Sequence, residues 1–387
     1  MNKYLAMSKT EDKMEPYSGK DPNLHEEPYC IKCCERSKET KPLLRCSVCK
    51  LVFYCSEAHQ KEDLSEHMKF CKYIGKLTDL IEKQAAALQR QYECVGRKKK
   101  RVNLFDVSVG NFWGIYNTRG YMEARMMLAD VIHDCIASDY GTKESFETVL
   151  RHYQDMLRLC SSDNLNLRFR FPYLLINVNR DDDAFDFIRY WMKADSNNET
   201  NREQSHADSV EGDWLYGHQE DCRFLDIFQE CPDANLKYTD IAHLVALACI
   251  KMRLVAADKA SIKSMEHFQL SAGGEALSAV QSIVSENVIG DADFRAKMEA
   301  QQAQLNRLLD LIHERNASML PALLNPNPLR SQPSPEYLRS GSPSECHPIL
   351  NDACRVWARI PGALEVLEGR FGRNPTYDFN MERRRNT

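Results

Sequence analysis

Eight cysteine and histidine residues lie close together near one end of the chain, at spacings that suit metal ions. They fall as Cys30-x2-Cys33, Cys46-x2-Cys49, Cys55-x3-His59 and His67-x3-Cys71. Thiolate and imidazole are the donors that zinc prefers, four to an ion in a tetrahedron. A Cys-x2-Cys pair turns the chain tightly enough to aim two thiolates at one ion. His67 and Cys71 stand four apart, so on a helix they share a face. Eight donors complete two four-coordinate sites. Neither site then keeps a position open for water, which makes the expected ions, two Zn2+, structural and not Lewis-acid catalysts. Cys34 adjoins Cys33 and offers an alternative Cys-x3-Cys pairing, although the usual turn spacing favours Cys33. A module this small rarely folds on its own core, so zinc is expected to supply folding free energy.

The rest of the composition narrows the function classes. The chain has 387 residues, a net charge of −5 and 43% hydrophobic residues, which is ordinary for a folded, water-soluble protein of about two domains. No apolar run is long enough to span a bilayer, and the charges scattered over Met1–Tyr17 leave no signal-peptide core. The mild acidity does not suit a general polyanion binder. Cysteine is the outlying count, at 15, and seven of them lie at or before Cys71. Without a secretory signal, a reducing compartment is expected, nuclear or cytoplasmic, where thiols stay free or bind metal.

Beyond the metal cluster the hydrophobic periodicity is helical. Ile74, Leu77, Leu80, Ile81, Ala85 and Leu88 recur at helical spacing over 74–92. The basic run Arg97-Lys98-Lys99-Lys100-Arg101 follows, readable as a solvated linker or as a short nuclear-import-like patch. Phe146, Val149, Leu150, Tyr153, Met156 and Leu157 make one helical stripe. Residues 165–178 and 182–193 read as two short helices, with Pro172 bending or interrupting the first. A helix is expected from Thr239 to about Ala257, another over 275–285, and a long one over 291–314 with Phe294, Met298, Leu305, Leu308, Leu309 and Ile312 inward. Ser342-Pro343-Ser344-Glu345 fits a capping box, and Pro348 lies too deep for a straight helix from that cap, which makes 350–368 the last ordered helix. The expected organisation is a flexible tail over 1–27, a zinc finger over 28–73, and a helix and basic linker over 74–104. An all-α domain follows over 105–330, with a flexible insertion at 194–213. A Pro/Ser-rich connector over 331–345, a C-terminal helix over 346–370 and a tail over 371–387 complete it. The fold class is thus a small zinc-stabilised module followed by an all-α domain, which could form a helical array.

The metal cluster resembles the MYND zinc finger. The matching residues are the two Cys-x2-Cys pairs, Phe53-Tyr54-Cys55-Ser56, His59-Gln60 and His67-Met68-Lys69-Phe70-Cys71. The resemblance implies a cross-braced order, with one zinc on Cys30, Cys33, Cys55 and His59 and the other on Cys46, Cys49, His67 and Cys71. His59 stands where the family usually has a cysteine, and Leu64 where it has a tryptophan. In the family that Trp and the Gln help hold proline-containing peptides, which makes Gln60 and Leu64 the candidate peptide-binding residues. The helical part resembles a group of fungal MYND-finger proteins through Phe112-Trp113-Gly114, Asn117–Met122, His152–Leu159, Asp186-Phe187, His243–Leu247 and Pro361-Gly362-Ala363. That likeness implies architecture and no biochemical activity.

Other conspicuous residues have plain structural readings. Trp113, Trp191 and Trp357 on helical stripes read as core. Arg158, Asp163 and Arg180 near helix ends read as caps and ion pairs. His133, His152 and His243 lie in separate segments with no metal spacing. The best functional expectation is a non-enzymatic, zinc-binding adaptor. The finger would present a peptide-binding face to protein partners, proline-rich peptides among them, and the helical domain a second surface. The chain's own Pro321–Pro326 segment loosely resembles such a peptide. One alternative is a transcription-associated nuclear regulator. A remote one is a SET-type lysine methyltransferase, which needs sequence on both sides of the finger and an Asn-His motif not found here. Neither the acidity nor any basic recognition helix favours direct nucleic-acid binding.

Overall fold

A computed structural model describes residues 24–36, 42–95, 98–137, 140–196, 217–230, 239–271, 292–333, 335 and 337–377. The helix expected over 275–285, Arg97, and most of the loose segments expected at 1–27, 194–213 and 371–387 lie outside the described residues. Two compact units divide the chain, one from Asn23 to Ile250 and one from Lys251 onward. Among the described residues no helix is long and apolar enough to cross a membrane.

The first unit contains the zinc finger and five helices packed in sequence. In the finger, β1 (Leu44–Arg45) pairs antiparallel with β2 (Phe53–Tyr54), Leu44 opposite Tyr54. Ser56 caps the next helix by accepting a hydrogen bond from the His59 N–H at 3.3 Å. That helix, α1 (Glu57–Leu88), runs unbroken through the expected 67–71 turn and the expected 74–92 stripe. Ile74, Leu77 and Leu88 are buried along it, whereas Leu80 is largely exposed. A hairpin follows, β3 (Gln91–Val95) against β4 (Lys98–Val102), so Lys98 to Arg101 of the basic run lie in a strand.

Helix α2 (Tyr116–Ile132) packs along α1 and continues into a π turn over His133–Ala137. Helix α3 (Lys143–Leu159) is capped by Thr142 and buries all six residues of its expected stripe. Helix α4 (Phe171–Asn177) is buried throughout. The helix expected over 165–178 is divided next to Pro172, into a 3-10 turn over Leu167–Phe169 and α4, where Pro172 sits in the first turn and its missing N–H has no helical partner to lose. Helix α5 (Asp181–Ser196) places three aspartates at its positive N-terminal end. Helix α6 (Ile241–Ser271) begins with the Ala242 N–H donating to the Asp240 carboxylate at 2.8 Å, and is longer than the sequence suggested. Every residue from Ile241 to Met252 is buried, the pattern of a helix enclosed on all sides.

Among the described residues, the second unit holds the remainder of α6, a one-turn helix over Asn327–Arg330 and four longer helices. Helix α7 (Ala292–Arg315) buries Leu305, Leu308, Leu309 and Ile312, with Met298 only half-buried. Helix α8 (Met319–Leu324) is buried, so the segment once comparable to an extended peptide is part of a core. Helix α9 (Pro343–Arg359) takes Pro348 inside it without a break. Its capping differs from the expected box. Glu345 accepts from Gly341 N at 2.8 Å and from Asn316 Nδ2 at 2.9 Å, while Ser342 Oγ donates to Arg339 O. Helix α9 closes at Ile360, and Gly362, at φ +78°, is the N-cap of α10 (Ala363–Phe371), which splits the expected 350–368 helix in two. Trp357 Nε1 donates to Ala363 O across that break.

Candidate metal centre

The two Cys-x2-Cys turns are built alike. The N–H of Cys34 donates to Cys30 O at 2.7 Å, and the N–H of Lys50 donates to Cys46 O at 3.1 Å. Both closing residues take left-handed backbone, φ 57° for Cys34 and 60° for Lys50. In this turn the backbone N–H groups inside the loop point at the first sulfur. Burial pushes the Cys30 thiol up, but the N–H groups of Cys55, Cys33 and Lys32 outweigh it and bring it down to about 6. Cys46 is lowered in the same way, against its burial, by the N–H groups of Cys49 and Val48. The first cysteine of each pair is thus prepared as a thiolate, the form that binds metal. The opposite holds for Cys71 and Cys49 of the second site. Burial, then the Cys46 side chain, pushes Cys71 up to about 11, and burial raises Cys49. These are thiols that a cation must deprotonate.

The β1–β2 pair then delivers Cys55 and α1 delivers His59, His67 and Cys71. Two clusters result: Cys30, Cys33, Cys55 and His59, and Cys46, Cys49, His67 and Cys71, each with its donor atoms within 4.8 Å of one another. In the first, Cys33 Sγ lies 3.6 Å from Cys55 Sγ, and His59 Nδ1 lies 3.1 and 3.5 Å from Cys55 and Cys30 Sγ. In the second, Cys46 Sγ lies 3.6 Å from Cys71 Sγ, and His67 Nε2 lies 3.1 and 3.6 Å from Cys46 and Cys49 Sγ. A zinc tetrahedron has edges of about 3.8 Å between sulfurs and about 3.6 Å between sulfur and nitrogen. The donors therefore fit zinc in chemistry, number and spacing, and the two sites hold two Zn2+ ions. Burial lowers the His67 ring, which keeps it neutral and able to ligate. The second site is buried throughout; in the first, Cys33 is exposed and Cys55 and His59 are half-buried.

The cross-braced partition expected from the resemblance is the one observed, with Cys33 and not Cys34 in the first set. Gln60 is half-buried and Leu64 exposed on the outer side of α1. The finger is also docked, which the spacing did not disclose. Arg45 makes a bidentate pair with Glu144 at the start of α3, at 2.9 and 2.6 Å. The segment before the first ligand lies along the same helices: Leu24 is buried, the Glu26 N–H donates to Gly141 O, and His25 Nδ1 lies 3.0 Å from Asn177 O.

The conspicuous residues of the helical part have structural roles. Asp163 accepts from the N–H groups of Leu167 and Arg168, Arg158 pairs with Asp155, and Arg180 pairs with Asp183. Trp191 and Trp357 are buried, while Trp113 is half-buried beneath the Arg119 guanidinium. His133, His152 and His243 do not come together; they contact Asp134 and Arg170, Arg125, and the Arg168 carbonyl respectively.

The MYND finger family model matches residues 30–71, from the first ligand to the last. The region is thus a MYND finger, a zinc-binding module of protein interaction. No solved structure matches the chain.

Proposed function

We propose that this protein is a non-catalytic adaptor, in which the MYND finger offers a peptide-binding face and the helical part a second surface. The observation that carries this reading is that each zinc site is closed by four protein donors, which leaves the finger its surface to work with. Leu44, Val48 and Leu64 leave 40–52% of their surface exposed on that small module. Gln60 and Leu64 are the residues proposed to meet a proline-containing peptide, whose extended helix is preformed and loses little entropy on binding. Nuclear work as a regulator of transcription is one setting for such an adaptor, and the likeness of the helical part to the fungal group adds no activity to it.

Affinity purification of the intact chain beside a Cys46→Ala, Cys49→Ala version tests the reading. Partners lost in the variant belong to the finger; identical partner sets would refute a binding role for it. A Leu64→Trp substitution supplies the wide apolar platform found in the family. It is expected to strengthen proline-rich peptide binding by about fivefold, as one added aromatic contact is worth roughly 1 kcal/mol. Unchanged weak binding would remove Leu64 from the face.

A further inference from the structure

We propose that Asp63 is a positioning residue that couples the two zinc sites, tying the loops of the first to the helix turn that carries His67 of the second. Asp63 is a carboxylate only 7% exposed, and a buried carboxylate requires partners. Its partners are two. The hydroxyl of Tyr54, itself fully buried, donates to Asp63 Oδ2 at 2.9 Å. The ammonium of Lys32 lies 3.8 Å from Asp63 Oδ1 and 3.7 Å from the exposed Glu62 carboxylate. Tyr54 immediately precedes Cys55, and Lys32 sits between Cys30 and Cys33, so both belong to segments that bear first-site ligands. Asp63 itself stands one helical turn before His67, whose ring meets Tyr54 edge-on at 6.2 Å. The other acidic residues of this stretch of α1, Glu57, Glu62 and Glu66, are exposed.

The charges support the same role. A site of three thiolates, one neutral imidazole and Zn2+ is negative overall, and a cation held within the Cys30–Cys33 loop offsets this. Of the two carboxylates beside that cation, Glu62 and Asp63, Asp63 is the buried one. Loss of either ion would loosen Tyr54 or the α1 turn and so release the carboxylate from the other side. The two ions should therefore leave the protein together.

Native mass spectrometry of the full chain during stepwise chelation reads this directly. The native chain is expected to pass from two zinc ions to none with little one-zinc form. The Asp63→Ala chain should still load two ions, bind them about 10–100-fold more weakly, as for other groups that support metal ligands, and accumulate the one-zinc form. Asp63→Asn, which keeps an acceptor for Tyr54 but loses the attraction to Lys32, should fall between. If Asp63→Ala does not load zinc, the comparison of Asp63→Asn and Lys32→Met with the native chain decides in its place. A one-zinc form as abundant in the native chain as in the variants would overturn the coupling. A native chain that loads only one ion would instead refute the two-site reading itself.

Discussion

Cys34 and Lys50 occupy the same place in two turns, and both accept a backbone conformation that suits glycine. A non-glycine residue in left-handed backbone costs roughly 1 kcal/mol. Cys34→Gly and Lys50→Gly are each expected to stabilise the zinc-loaded chain by about that much in thermal unfolding, with zinc content unchanged. Cys33→Ala, by contrast, should lose first-site zinc, and retention of both ions in that variant would hand the ligand role to Cys34. The ligand set was legible because thiolates at Cys-x2-Cys spacing have few other uses in a reducing compartment. What the spacing could not disclose is how individual ionisable groups sit in the helical part. His152 accepts a hydrogen bond from Arg125 Nε at 3.2 Å, and burial together with that guanidinium pulls its imidazole down from 6.5 to about 4. Between those values the unfolded chain binds a proton that the folded chain refuses. The contribution is fully present above pH 6.5 and is lost as pH falls toward 4, by up to about 3 kcal/mol. His152→Gln should flatten that part of the stability–pH curve; an unchanged slope would place the effect on other groups.

At the level of elements, the sequence signals read well where periodicity decided and failed where two signals met. The stripe over 146–157 was legible because six large apolar residues leave a helix one way to bury them. Helix α1 was read in two pieces because the metal spacing ends at Cys71 and the apolar stripe begins at Ile74. Nothing in between stops a helix: Gly75 weakens it only slightly, and there is no proline. The β3–β4 hairpin was missed because a strand of four cations and a valine lacks the apolar alternation that marks one. Pro172 does mark a division of the expected 165–178 helix, whereas Pro348 breaks nothing, because it costs a single bond near the start of a long helix. The continuity of α1 has a measurable consequence. Leu77 lies beyond the last ligand and is buried where α1 packs along α2. Leu77→Ala is expected to cost about 2–4 kcal/mol. Because one helix carries both functions, it should also speed zinc release to a chelator. Destabilisation without faster release would show that α1 does not transmit strain between its two halves.

At the level of the whole molecule, the finger is not a bead on a string. It shares the Asn23–Ile250 unit with five helices or parts of them, through α1 against α2, the Arg45–Glu144 pair and the segment from Leu24 to Tyr29. The Arg45–Glu144 pair is substantially exposed and by itself worth little, below about 1 kcal/mol. The buried faces of α1 and Leu24 carry the larger share. Zinc binding is therefore folding free energy for more than the 30–71 module. A small metal module unfolds without its ions. If α1 frays back from Glu57, its buried contacts at Ile74 and Leu77 go with it, and α2 loses the surface it packs on. Chelation of the full chain is thus expected to remove more helical signal than the α1 turns bearing His59, His67 and Cys71 account for. It should also open protease sites within 116–159, with re-addition of Zn2+ restoring both. The alternative is a finger that melts alone, losing circular dichroism only in proportion to those turns and leaving α2 and α3 protected. That result would return the finger to the status of a separate module and free both of its faces for partners. The coupled result would restrict partners to the side of the finger turned away from α2 and α3, where Leu64 lies exposed.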